Sequence, residues 1–209
     1  MTKLLHVSAS PRGEASESLT IASAFVDVYR ETHPDAEVDH WDLWDGSLPD
    51  FGPAAAGAKM AVIRGEPPTG AEAEAWRDVV AAVHRFLSAD RLLFSVPMWN
   101  SGIPYVLKQF VDVVSQPGMV FGLDAVTGYQ PLLAGTGRRA AVVYTSSVWC
   151  PEVGPGFGSD FQSTYFDDWL RWTGITDLTP IRHHPTLTGD VEDSRQTALA
   201  TAREVAKEF

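Results

Sequence analysis

Short apolar segments alternate with amphipathic helical segments along this chain, and that alternation restricts its fold more than any other feature. Leu4 to Val7 is an apolar run that stops at Ser8-Ala9-Ser10, which is typical of a strand buried on both faces and followed by a loop. A helical pattern follows and ends before Pro34, whose ring cannot continue a helix. Further strands are predicted near 36–44, 92–96, 140–144 and 175–181, and further helices near 54–63, 71–89, 104–114, 161–172 and 191–208.

The order of these segments predicts the architecture. Strands separated by helices, without hairpin signals, imply right-handed crossovers and therefore a parallel sheet. We expect an α/β fold with a doubly wound five-stranded parallel sheet in a three-layer α/β/α arrangement, formed by one domain over residues 1–209. In such sheets ligands bind beyond the carboxyl ends of the strands, where the strand order reverses.

Composition and charge exclude several classes of partner. The chain has 44% apolar residues, enough for a sizeable core, and a formal net charge of −11. An acidic surface repels polyanions, so we expect no nucleic-acid partner and no binding to an anionic membrane. Residues 1–7 do not resemble a signal peptide, and no run of about 18 apolar residues could span a bilayer. With Cys150 as its one cysteine, the chain is predicted to be cytoplasmic.

The loop after the first strand contains residues suited to a phosphate. Ser10, Ser16 and Ser18 offer hydroxyl donors, Arg12 offers a cation, and the following helix start offers free backbone N–H groups. The loop contains neither G-x-G-x-x-G nor G-x-x-x-x-G-K-[ST], so a dinucleotide loop and a P-loop are not supported. The alternative is that Ser16 or Ser18 simply caps the helix.

The loops after the third and fourth strands suit a flat ring. Met98 and Trp99 offer polarizable surface, and Asn100 offers polar groups for a ring edge. The stretch Ser146 to Trp149 repeats a small polar segment followed by an aromatic residue. The alternative is that Trp99 and Trp149 belong to the core. A phosphate site beside a ring site describes a mononucleotide such as FMN.

Three motifs resemble the FMN-dependent NADH-azoreductases, which are flavodoxin-like quinone and azo reductases. They are S-x-x-x-x-x-S-x-S after the first strand, P-M-W-N-S-G-I-P-x-x-L-K-x-x-x-D from Pro97 to Asp112, and a serine-rich loop after the fourth strand. The resemblance runs along nearly the whole chain. It implies a flavodoxin-like fold, FMN as cofactor, NADH or NADPH as donor, a quinone or azo acceptor, and ping-pong hydride transfer.

The resemblance also implies which residues form the site. The FMN-binding residues would be Ser10, Ser16, Glu17, Ser18, Pro97, Met98, Trp99, Asn100, Ser101, Ser146, Ser147, Val148 and Trp149. The substrate pocket would include Phe121, Leu123 and Trp172, with Trp172 supplied by the second subunit of a homodimer whose active site lies at the interface. No catalytic side chain and no metal are expected; Tyr129 is a possible proton source.

The sequence departs from the family at two places near the substrate. Where the family often has an Arg-Gly-Gly tail, this chain has Ser147-Val148-Trp149, and Gly122-Leu123 follow Phe121 where an aromatic is usual. Two further hypotheses therefore stay open. One is a flavoenzyme that modifies a specific aromatic metabolite; the other is a flavodoxin-type electron carrier, which the long loops at 116–139 and 150–160 disfavour.

Other polar residues are predicted to have no part in the chemistry. His183-His184 is interpreted as a solvated loop, Asp167-Asp168 as a solvated helix face, and Cys150 as an inert thiol. Asp160 to Gln162 is expected to order the loop over the site.

Overall fold

Seven strands and six α-helices make up the protein, in a computed structural model that describes residues 2–209. The strands are β1 (Lys3–Ser8), β2 (Glu37–Asp42), β3 (Arg91–Pro97), β4 (Phe121–Asp124), β5 (Gly128–Pro131), β6 (Arg139–Thr145) and β7 (Asp177–His183). The helices are α1 (Glu17–Thr32), α2 (Pro53–Ile63), α3 (Gly70–Leu87), α4 (Tyr105–Val114), α5 (Ser163–Thr173) and α6 (Val191–Lys207).

Five of the strands form one parallel sheet in the order β2-β1-β3-β6-β7. This confirms the predicted doubly wound five-stranded sheet. The chain moves outward from β1 to β2 and then returns to place β3 on the other side of β1. The strand order therefore reverses between β1 and β3, so the loops after these two strands flank the position where ligands bind in this class of fold.

Both faces of the sheet are covered by helices, which gives the expected three layers. Leu4 and Leu93 point to the face covered by α1 and α6, whereas Leu5 and Phe94 point to the face covered by α3, α4 and α5. Successive residues of a strand point to opposite faces, so a strand buried on both faces has to be apolar at nearly every position. This explains why the central strands β1, β3 and β6 are continuous apolar runs in the sequence.

The structure also contains a hairpin, for which the sequence carries no hairpin signal. β4 and β5 pair antiparallel as a small separate sheet, joined by a turn in which Asp124 Oδ1 accepts hydrogen bonds from the N–H groups of Val126 and Thr127 at 2.9 and 2.8 Å. Gly128 closes the turn with φ 83°, a conformation that glycine adopts without steric cost. The strands are four residues long and lack an Asn-Gly or Asp-Gly pair, so the usual hairpin signal is absent.

Among residues 2–209, no helix combines the length and the hydropathy that a membrane span requires.

Candidate functional site

The start of α1 presents backbone donors that the protein does not use. Ser16 is the N-cap of α1, and its Oγ accepts a hydrogen bond from the N–H of Leu19 at 3.3 Å. The N–H groups of Glu17 and Ser18 donate to no acceptor within residues 2–209. Helix N-termini carry a partial positive charge, so two free N–H groups beside the hydroxyls of Ser16 and Ser18, which lie 3.1 Å apart, are suited to an anion.

The remaining candidates in this loop differ in exposure. The side chain of Ser10 is buried with those of Ser16 and Ser18, whereas Arg12 is exposed. Ser16 does cap the helix, which was the alternative considered from the sequence. Its hydroxyl accepts the N–H of Leu19 and leaves the N–H groups of Glu17 and Ser18 available. The cap and an anion site are therefore compatible.

The segment after β3 makes a tight turn in an uncommon backbone conformation. Trp99 and Gly102 exchange backbone hydrogen bonds of 2.8 and 2.9 Å, and Asn100 and Ser101 between them have φ of 49° and 68°. Positive φ at two successive residues other than glycine is unfavourable, and such strain concentrates at ligand sites. The N–H groups of Asn100 and Ser101 find no acceptor in the described part of the chain, so they face outward as free donors.

Gln162 joins the loops after β3 and β6, whereas the sequence predicted only that Asp160 to Gln162 orders the loop over the site. Its side chain is buried, and its amide nitrogen donates to the carbonyl oxygens of Val96 at 2.7 Å and Thr145 at 3.3 Å. The N–H of Met98 also donates to Thr145, at 2.7 Å. These bonds hold the two strand ends side by side. Asp160, which caps the first turn of α5, fixes the loop that carries Gln162.

Backbone hydrogen bonds join the loop after β6 to the loop after β7. The N–H of Thr186 donates to the carbonyl of Ser146 at 2.9 Å, and the N–H of Leu187 donates to that of Ser147 at 2.9 Å. Ser146 Oγ donates to the carbonyl of Trp149, whose indole lies 5.4 Å from the ring of His184. Ser147 and Val148 remain exposed at the tip of the loop.

Aromatic side chains line the crevice beside the turn at Trp99. The indole of Trp44 lies 5.7 Å from that of Trp99 and 5.2 Å from the ring of Tyr105, and its Nε1 donates to the carbonyl of Ala9 at 3.0 Å. Trp99 and Trp149 are half-buried and lie outside the two core clusters, so they are not simply core residues. The sequence did not identify Trp44 as a site residue, because it follows β2 and the family motifs lie after β1, β3 and β6.

The three residues predicted for the substrate pocket lie together but away from these loops. Phe121, Tyr129 and Trp172 form an aromatic cluster with ring centroids 5.1–5.4 Å apart, and Leu123 is 64% exposed beside it. α4 leads from the end of β3 to this cluster over ten residues, or about 15 Å at the helical rise. The cluster therefore lies at the opposite end of α4 from the turn at Trp99.

His183, Asp167 and Cys150 are polar or reactive residues that the structure buries fully or in part. His183 is fully buried in β7 and not in a solvated loop, because the strand extends to it and α6 covers it. Asp167 is only partly exposed, with 17% of its side chain accessible, and one of its carboxylate oxygens accepts a hydrogen bond from the hydroxyl of Tyr144 at 2.6 Å; Asp168 is exposed as expected. The thiol of Cys150 is buried.

A groove of about 560 Å³ runs between α1 and β2 and adjoins the first loop. It is lined by His6, Gly13, Glu14, Leu19, Thr20, Ser23, Val26, Asp27, Arg30, Val38 and His40. None of these residues belongs to the loops after β3 or β6. The groove is therefore separate from the crevice at the carboxyl edge of the sheet.

Comparisons with known proteins identify the fold and the family. A family model described as flavodoxin-like fold matches residues 2–208. An FMN-dependent NADH:quinone oxidoreductase of Ruegeria pomeroyi is 45% identical over 96% of this chain and 98% of the relative, and one of Desulfotalea psychrophila is 38% identical over 97% and 93%. The crystal structure of an azoreductase from Bacillus anthracis aligns over 100% of both chains with a TM-score of 0.89 at 26% identity. An FMN-dependent NADH-azoreductase from the same organism, in complex with FMN, aligns over 100% of this chain and 99% of its own, with a TM-score of 0.90 at 23% identity.

Proposed function

Because the chain belongs to the flavodoxin-like-fold family that includes the FMN-dependent NADH:quinone oxidoreductases, we propose that it is an FMN-dependent oxidoreductase. The donor would be NADH or NADPH, and the acceptor a quinone, an aromatic azo compound or both. The observation that carries the proposal is the convergence of unused backbone donors at one edge of the sheet. They lie at the start of α1 and in the turn after β3, the two segments that flank the reversal of strand order.

The residues at the start of α1 fit the phosphate of FMN. A phosphate oxygen placed ahead of the helix would accept hydrogen bonds from the N–H groups of Glu17 and Ser18 and from the hydroxyls of Ser10, Ser16 and Ser18. These donors replace water around the anion, and the helix dipole favours its negative charge. Buried hydroxyls are already oriented, so little side-chain entropy is lost when the phosphate binds.

The loops after β3 and β6 fit the isoalloxazine ring. Pro97, Met98 and Trp99 would supply one side of the site, the free N–H groups of Asn100 and Ser101 would reach a polar edge, and Ser146, Ser147, Val148 and Trp149 would supply the other side. FMN held there would supply the redox chemistry, which is hydride transfer between a nicotinamide and the acceptor. The protein then has to bind, orient and exclude water, and no charged catalytic side chain is required.

We propose that the active site is completed by a second copy of the chain. The hairpin presents exposed apolar side chains at Leu123 (64%), Val126 (91%) and Tyr129 (58%), a patch of the kind that marks a protein interface. This surface and Trp172 lie at the opposite end of α4 from the turn at Trp99 in their own chain. In a homodimer, the hairpin of one copy would cover the ring bound by the other, and Tyr129 would be positioned to give a proton to the reduced acceptor.

Anaerobic stopped-flow tests the proposed reaction. Protein loaded with FMN is mixed with NADH, or with NADPH, and the flavin absorbance is followed; menadione or methyl red is then added. We expect NADH to bleach the flavin and the acceptor to restore its colour, with parallel double-reciprocal lines in the steady state. A protein that does not bind added FMN, or bound FMN that neither NADH nor NADPH bleaches, would contradict the proposal, and the second result would favour an electron carrier.

The bulky loop after β6 favours one variation on this function. Val148 and Trp149 occupy positions where small residues would leave more room over a flavin, which suits a single aromatic metabolite as acceptor. Rapid bleaching by NADH, without turnover of either menadione or methyl red, would support that narrower specificity.

A further inference from the structure

The proposed phosphate site contains a negative charge of its own. Glu17 is the first residue of α1, and its backbone N–H is one of the two free donors described above. A phosphate monoester carries about −1.5 to −2 charges at neutral pH. A carboxylate on the same helical turn would repel it, because like charges at short range are unfavourable.

A basic residue of α6 compensates this charge. Arg195 Nε donates to Glu17 Oε2 at 2.9 Å, across 178 positions of sequence. Both side chains are partly shielded, with 31% exposure for Arg195 and 36% for Glu17, so water screens the pair less than it screens an ion pair on the open surface. The pair joins the start of α6 to the start of α1.

A buried imidazole approaches the same carboxylate oxygen. His183 Nε2 lies 3.8 Å from Glu17 Oε2 and has no hydrogen-bond partner within residues 2–209, although the side chain is fully buried. Its Nδ1 lies 3.0 Å from Ser194 Oγ. Burial lowers the pKa of His183, against a smaller opposing effect of Glu17, so the imidazole is neutral. The charge on Glu17 is therefore balanced by Arg195.

We propose that Arg195 is a positioning residue for the FMN phosphate: it neutralises Glu17 and holds the carboxylate against α6, away from the anion. The inference depends on the proposed FMN site and adds a residue that none of the family motifs contains. It predicts an effect on ligands that carry the phosphate and no effect on ligands that lack it.

Flavin binding by the Arg195→Gln variant tests this. Dissociation constants for FMN and for riboflavin, which has the same ring but no phosphate, are measured by quenching of flavin fluorescence. We expect the Kd for FMN to rise about fivefold and that for riboflavin to stay unchanged, because only the phosphate meets the uncompensated carboxylate. Arg203→Gln is the matched control, since it removes the same charge from an exposed position of the same helix.

Two variants at Glu17 complete the test. Glu17→Gln removes the repulsion and frees Arg195, so FMN should bind more tightly than to the wild-type protein. The double variant Glu17→Gln/Arg195→Gln should recover most of the affinity lost in Arg195→Gln. Equal FMN affinity in Arg195→Gln and wild type, or an equal loss for riboflavin, would overturn the inference alone. A wild-type protein that binds no FMN would overturn the proposed function as well.

Discussion

His6 shows how a buried residue contributes to the response of the fold to acid. It lies in β1 under α1, with Nε2 2.7 Å from Ser95 Oγ and its ring stacked on that of His40 at 4.8 Å. Burial, with a smaller contribution from His40, lowers the pKa of His6 from 6.5 to about 3. The native protein therefore holds His6 neutral at pH values where the unfolded chain would take up a proton.

The free energy of unfolding should consequently fall as the pH drops from about 6.5 towards 3. Between these values the unfolded state binds the extra proton, so His6 contributes a loss of up to about 1.4 kcal/mol per pH unit. We expect His6→Gln to have a shallower dependence between pH 6.5 and 4.5 in urea titrations. His84→Gln, at an exposed position of α3, should keep the wild-type slope. An equal dependence of the free energy of unfolding on pH in all three proteins would show that His6 does not contribute to it.

Gln162 carries a second prediction at the scale of single residues. Replacement by leucine keeps much of the volume but removes the donor shared by Val96 and Thr145, leaving buried carbonyl oxygens without that partner. The cost should be about 1–3 kcal/mol in the free energy of unfolding. Since the loops after β3 and β6 would lose this link and keep the bond between Met98 and Thr145, FMN and riboflavin should both bind more weakly. Gln196→Leu, on the exposed side of α6, serves as the control and should change neither quantity.

At the scale of elements, the β4–β5 hairpin has the clearest consequence. Val126 at its turn is 91% exposed, which is costly for a valine unless another surface covers it. We expect Val126→Asp to shift the protein from dimer to monomer in sedimentation velocity runs, because dimer formation would bury the new charge. Ala200→Asp, an exposed position of α6 on the other face of the sheet, should leave the dimer intact. A monomeric wild-type protein would contradict the homodimer and the role assigned to Trp172.

At the scale of the whole molecule, the sequence predicted the main sheet and predicted that the loops after β1, β3 and β6 lie at the same edge of it. It did not predict the hydrogen bonds and ion pairs that join distant segments. Apolar runs such as 92–96 and 140–144 indicate strands buried on both faces, so the strand count, the parallel arrangement and the helical layers follow from period and spacing. The β4–β5 hairpin is short and mostly exposed, so its sequence shows no comparable apolar run. The pairs Gln162–Val96 and Arg195–Glu17 link positions far apart in the chain, and no local pattern indicates such pairs.

A crystal structure of the protein grown with FMN would show directly where the cofactor binds. We expect phosphate oxygens about 2.7–3.2 Å from the backbone nitrogens of Glu17 and Ser18, with the ring between the turn at Trp99 and the loop from Ser146 to Trp149. Phosphate density in another place, such as the groove between α1 and β2, would contradict this placement.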